Sequence, residues 1–133
     1  MTENQLAKIM VDACYQIHRT LGPGLLETVY EQCLCHELSV RGISFKREVA
    51  VPVAYKGIKL DCGFRLDLLV ADLVAVELKA VDRVLPIHRA QLLTYLKITD
   101  KKLGLLINFN EELIKDGIHR VVNGLRYPES EDD

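Results

Sequence analysis

No stretch of this chain stays apolar long enough to cross a membrane, and its first residues lack a secretory signal pattern. It also lacks low-complexity segments and internal repeats, which argues against linkers, solenoids and fibrous arrays. Cys14, Cys33, Cys35 and Cys62 sit inside hydrophobic patterns without the spacing of a secreted disulfide scaffold, so a reducing cytoplasm is the expected setting. Cys33-Leu34-Cys35-His36 falls on a helical pattern where residues two apart diverge, which favours buried thiols over a zinc site. Gly22-Pro23-Gly24 precedes a helix and could meet an anion, but the lysine and hydroxyl of a P-loop are missing. No Ser–His–acid arrangement can be assembled from spacing. A large positive charge is absent too: the formal net charge is −2, which argues against indiscriminate coating of nucleic acid.

What is present fits one soluble domain of 133 residues, long enough to bury a proper core. Residues 127–133 contain Glu129, Glu131, Asp132 and Asp133 and read as a solvated, disordered acidic tail. The expected domain, residues 1–126, then carries 17 basic and 15 acidic groups, a mildly positive body.

Thr2 and Gln5 form a capping-box pattern, and Leu6, Ile9, Met10, Ala13, Cys14, Ile17 and Leu21 follow at helical spacing. Gly22-Pro23-Gly24 stops that helix. A second helix is predicted from about Leu25 to Arg41, with Leu26, Val29, Tyr30, Cys33, Leu34 and Leu38 facing inward and Gly42 ending it. Glu27 and Tyr30 lie three apart on one side of it; the helix dipole suffices to explain Glu27, and packing suffices for Tyr30. Residues 43–53 alternate as a strand, Tyr55-Lys56-Gly57 is a turn, and Ile58 leads back. A helix is predicted from Ile87 to about Ile98 with Pro86 at its start, placing Gln91 and Tyr95 on one face. Leu103 to Phe109 reads as a strand covered on both faces. Beyond Glu111 the periodicity does not decide, although Ile118, Val121, Val122 and Leu125 mildly favour a helix.

Between these elements lie two apolar runs, Phe64–Val70 and Leu73–Ala80, bracketing Ala71-Asp72 as a strand–turn–strand unit. Each carries charge where a buried strand should have none: Asp67 in the first, Glu77 and Lys79 in the second. Glu77 and Lys79 are two apart and share a face, Leu78 points into the opposite layer, and pairing of the runs brings Asp67 beside Glu77. Buried groups of this kind need a partner or a metal. Two readings fit: a salt bridge at the sheet edge, or two oxygen ligands for a hard cation such as Mg²⁺.

Taken in order, these motifs resemble the PD-(D/E)XK nuclease superfamily over roughly residues 5–125. Gly24-Leu25-Leu26-Glu27-Thr28-Val29-Tyr30 is similar to the motif of the GxxExxY family, Asp67 with Glu77-Leu78-Lys79 to the superfamily core, and Gln91-Leu92-Leu93-Thr94-Tyr95 to the helix of its RecB-like exonuclease branch. Leu66 stands where the superfamily name has proline. The resemblance implies an α/β, restriction-endonuclease-like core with a mixed four- to five-stranded sheet flanked by helices. It implies a metal-dependent nuclease acting on phosphodiester bonds, with DNA as the expected nucleic-acid partner and a protein partner or second copy as a further one. Asp67, Glu77, the Leu78 carbonyl and Glu27 would hold Mg²⁺ or Mn²⁺; Lys79 would orient or deprotonate water and stabilise developing charge; Gln91 and Tyr95 would bond the site or the DNA backbone; Arg89 and His88 would contact phosphate. The alternative is a nuclease-fold module, catalytically silent, that binds nucleic acid or protein.

Overall fold

The computed structural model describes residues 1–125, apart from the side chains at positions 62 and 63; the acidic tail expected over 127–133 lies outside the described residues. Helix α1 (Glu3–Leu21) starts on the expected capping box, with the Thr2 hydroxyl accepting from the Gln5 N–H and the Gln5 side chain accepting from the Thr2 N–H. It ends at Gly22, whose φ of 68° suits glycine. Helix α2 (Glu27–Val40) follows. The hairpin β1 (Phe45–Tyr55) and β2 (Ile58–Val70) turns through Lys56 and Gly57, both left-handed. A second tight turn, with Ala71 and Asp72 left-handed, leads into β3 (Val74–Lys79). Helix α3 (Pro86–Thr99) crosses over to β4 (Leu103–Asn108), which therefore pairs parallel to β3.

The sheet is mixed and five-stranded, in the order β1-β2-β3-β4-β5, where β5 is Ile118–Val122. The mild helical expectation after Glu111 fails there: a short 3₁₀ turn (Ile114–Gly117) is followed by β5, antiparallel to β4. Position along an open sheet edge decided this, since Ile118 and Val121 fit a strand beside β4 as well as they fit a helix.

Helices α1 and α2 cover one face of the sheet and α3 the other. Leu68, Val70, Val76, Leu78, Leu105 and Ile107 point to the first layer; Leu69, Ala75 and Leu106 point to the second, with Leu92, Tyr95 and Leu96 of α3. On α2 the inner face differs from the expected one. Leu26, the residue before the helix, is 75 % exposed, and Val29 is also exposed, whereas Glu31 and Cys35 are buried with Tyr30, Leu34 and Leu38. Leu26 lies ahead of the first helical turn, beyond the reach of the core.

The β1–β2 hairpin changes layers along its length. Phe45, Leu68 and Val70 pack with α1 and α2, whereas Val49, Val51, Phe64 and Leu66 pack with α3. Strand residues two apart normally share a face, so the ribbon must twist through between Leu66 and Leu68. Glu48, opposite that point, is left-handed at φ 51°, the local distortion that permits it. Asp67 sits at the crossing.

Candidate active site

The three-residue loop Ala71-Asp72-Leu73 sets the register of β2 on β3: Val70 faces Val74, Leu69 faces Ala75 and Leu68 faces Val76. The next rung would be Asp67 against Glu77, but the ladder stops there. Each carboxylate instead takes a backbone N–H from the other strand: Glu77 Oε1 accepts from Asp67 N–H at 2.9 Å, and Asp67 Oδ2 accepts from Leu78 N–H at 2.7 Å. The strands part, and the side chains fill the gap. Because a strand residue's N–H and C=O point to the same edge, the Leu78 carbonyl also faces the Asp67 side.

Glu77 is 8 % exposed and Asp67 is half-buried. Burial pushes Asp67 up to about 6, reinforced by the charges of Glu31, Glu27 and Glu48 and opposed by the Leu78 N–H. Burial pushes Glu77 up to about 7, reinforced by Asp67 and Glu27; the Asp67 N–H and the Lys79 ammonium oppose it. Lys79 lies two residues beyond Glu77 on the same strand and is half-buried. Glu27, exposed at the first turn of α2, is close enough for its charge to act on both carboxylates.

Glu27 is held there by Tyr30. The Tyr30 hydroxyl donates to the Gly22 carbonyl at 2.6 Å and accepts from Leu25 N–H at 3.2 Å, while its ring stacks on Phe109 at 4.3 Å. Tyr30 thus ties down the loop that aims the start of α2. Behind Lys79, the buried Asn108 side chain accepts from Val81 N–H and donates to the Val81 carbonyl, fixing the chain as it leaves β3.

Three residues beside Asp67 had no part in the expected site. Glu31 is buried and bridged by the Arg47 guanidinium, whose nitrogens lie 2.7 and 3.1 Å from Glu31 Oε2. Ligand-capable oxygens of Glu31, Glu48 and Asp67 all lie within 4.8 Å of one another. Spacing could have suggested Glu31, which is four residues after Glu27 and so on the same side of α2. Nothing local signals Arg47 or Glu48.

The donor chemistry suits a hard divalent cation. All candidate ligands are oxygens, and Asp67 and Glu77 each spend one oxygen on a backbone N–H and keep the other. Glu31 fits less well, because Arg47 already offsets its charge.

The remaining expected residues lie further off. Gln91 is exposed on α3, and Tyr95 is buried in the α3 layer with Thr99 and Asp72 influencing its hydroxyl. Among the described residues, no hydrogen bond joins either to Asp67, Glu77 or Lys79. His88 accepts from Leu85 N–H at 3.0 Å and so caps α3. Arg89 reaches across to β5, with a guanidinium nitrogen 3.0 Å from His119 Nδ1. His119, Leu106 and Glu77 lie in one row across β5, β4 and β3, which puts Arg89 on the Glu77 side of the sheet.

No curated protein and no solved structure matches the chain. A family model does match, over residues 4–121, a span that includes the strand pair, the carboxylates and both flanking helix layers. With that match and a mixed sheet layered between helices, the chain belongs to the PD-(D/E)XK nuclease superfamily.

Proposed function

We propose that this protein is a metal-dependent nuclease that hydrolyses phosphodiester bonds in DNA, with Asp67, Glu77 and Lys79 at its active centre. The observation that supports this reading is the pair of cross-strand bonds, Asp67 N–H to the Glu77 carboxylate and Leu78 N–H to the Asp67 carboxylate, which holds two carboxylates together, both with raised pKa, next to an ammonium. A structural salt bridge would need one acid for one lysine; a second buried acid in the same gap is costly in its charged form unless a proton or a cation offsets it.

Asp67, Glu77 and the Leu78 carbonyl would hold Mg²⁺ or Mn²⁺, with Glu27 reaching the same ion through water. When bound, the cation supplies Lewis acidity for water and for the scissile phosphate. Lys79 orients the attacking water, accepts its proton when neutral or stabilises the developing phosphorane charge when protonated. Arg89, held by His119, contacts a flanking phosphate, and His88 lies beside it on the same helix turn. Gln91 and Tyr95 belong to this reading through the resemblance to the RecB-like branch, as Gly24, Glu27 and Tyr30 do to the GxxExxY family.

The alternative, a catalytically silent nuclease-fold module, is favoured by the net charge of −2, which leaves little general grip on a polyanion. One substitution separates the two. Lys79→Ala keeps both carboxylates, so metal binding persists, while cleavage of single- and double-stranded DNA in Mg²⁺ or Mn²⁺ falls about a hundredfold or more. A purified wild type that cuts neither DNA nor RNA with either metal would discard the enzyme reading for the isolated chain.

A further inference from the structure

The outer half of the β1–β2 hairpin stands apart from the rest of the fold. Every residue from Ala54 to Asp61 is exposed, and among the described residues no third strand or helix covers this tip. A two-stranded ribbon without such cover is marginal in water. Its two faces are unlike. Register pairs Val53 with Leu60 and Tyr55 with Ile58, so these four share one face, continuing the Val49 and Val51 side that packs under α3. The other face carries Ala54 and Lys59, a cross-strand pair, with Asp61 opposite Pro52.

The apolar face runs from a buried base to an open tip. Val51 is 4 % exposed, whereas Tyr55, Ile58 and Leu60 are 59 %, 58 % and 47 % exposed. Beside it, α3 adds Ile87 and Ile98, at 56 % and 42 %, on the same stripe as Ala90 and Thr94. Hairpin and helix together bound an apolar groove of about 360 Å³. The exposed apolar surface here is on the order of several hundred Å², the size of the largest patch a monomer commonly leaves open, which is often functional, and a large share of the ~800 Å² each partner gives to a standard stable interface.

One face thus carries both a projecting apolar tip and an apolar recess. That combination is what a two-fold pair of identical chains requires, because the contact of tip with groove is then made twice. We propose that this face pairs two copies of the chain, the hairpin tip of each seated in the hairpin–α3 groove of the other. No charged side chain is among those lining the groove, and the cation on the tip's apolar face, Lys56, has its ammonium over the Tyr55 ring, 5.4 Å from the centroid, on a flexible stem that can keep it at the rim. Gln91 lies in the groove wall, so the partner's tip would also contact this exposed side chain of α3. The pairing does not depend on the nuclease reading.

Sedimentation of the full chain over a concentration series tests this, with circular dichroism as a check on folding. The wild type should dimerise. Ile58→Glu on the tip and Ile87→Glu in the groove should each weaken association roughly tenfold or more, while Val40→Glu, exposed at the far end of α2, should leave it unchanged. Both interface positions are open to solvent in the single chain, so the variants keep their fold. Mixing the two variants should restore part of the association, because an unaltered tip then meets an unaltered groove once per pair. A wild type that stays monomeric would overturn the proposal and leave the face to a different protein. A dimer that survives both substitutions, or variants that gain nothing on mixing, would overturn it equally.

Discussion

Asp67 and Glu77 carry opposing demands: each accepts a backbone N–H that only a charged or polar oxygen can satisfy, yet each sits where charge is costly. Both bind protons more tightly folded than unfolded, Asp67 at about 6 and Glu77 at about 7. Their protonation therefore favours the fold fully below the unfolded carboxylate range, and that contribution is lost as pH rises through 6 and 7. In chelator, urea denaturation should show wild-type stability falling between about pH 4 and pH 7. The Asp67→Asn, Glu77→Gln double variant should be flatter over the same range. Parallel curves would mean that burial does not hold protons on this pair. Arg47 illustrates a different solution, since its guanidinium sets a counter-charge directly against the buried Glu31 carboxylate.

Elements fix the site by their ends. β3 delivers Glu77 and Lys79 at its C-terminal end, and Asn108 at the end of β4 clamps Val81 just beyond. The 3₁₀ turn before β5 then passes so close to β4 that a Cβ on Gly117 would lie 2.1 Å from the Asn108 carbonyl oxygen. Backbone has to move to admit it. Gly117→Ala should destabilise the fold by about 1–3 kcal/mol, as overpacking does. It should also shift the Ala80 and Val81 amide resonances, because displacement of Asn108 reaches them through its side-chain bonds. An unchanged urea midpoint would show that the two segments can separate freely. At the other end of β3, the left-handed pair Ala71-Asp72 is braced by Lys101, whose ammonium meets the Asp72 carbonyl at 2.9 Å.

For the molecule as a whole, a cation at the carboxylate pair would tie β2 to β3 where their ladder has opened, and would bind only the folded arrangement. Mg²⁺ or Mn²⁺ should therefore raise the unfolding temperature, with a stabilisation that grows with the logarithm of concentration and reaches about 2.7 kcal/mol at a hundredfold excess over Kd. Asp67→Ala should lose most of that response. An equal rise in wild type and Asp67→Ala would put the cation elsewhere, with the Glu31, Glu48 and Asp67 group losing its claim as well. Among the described residues no helix is long and apolar enough to cross a membrane.

The sequence alone determined what depends on near neighbours. Thr2 and Gln5 specify the start of α1; Gly57 marks the first hairpin turn. Ala71-Asp72 marks the turn between β2 and β3, but a two-residue turn would set Asp67 against Val76; the fold keeps Leu73 in the loop as well, and that third residue brings Asp67 opposite Glu77. The layered α/β fold follows from the same periodicities, and the match of apolar runs to β3 and β4 was legible for that reason. Tertiary structure decided the rest. Glu31 is buried against expectation because Arg47, sixteen residues away, reaches it across the layer. The hairpin changes layers because Glu48 adopts a left-handed conformation, and nothing in an alternating strand pattern announces that. β5 became a strand because β4 offered it an open edge, and Ile118 and Val121 serve either geometry. Local spacing encodes the direction of a side chain relative to its own backbone; which distant group it meets depends on how whole layers pack, and that is set by the core as a unit.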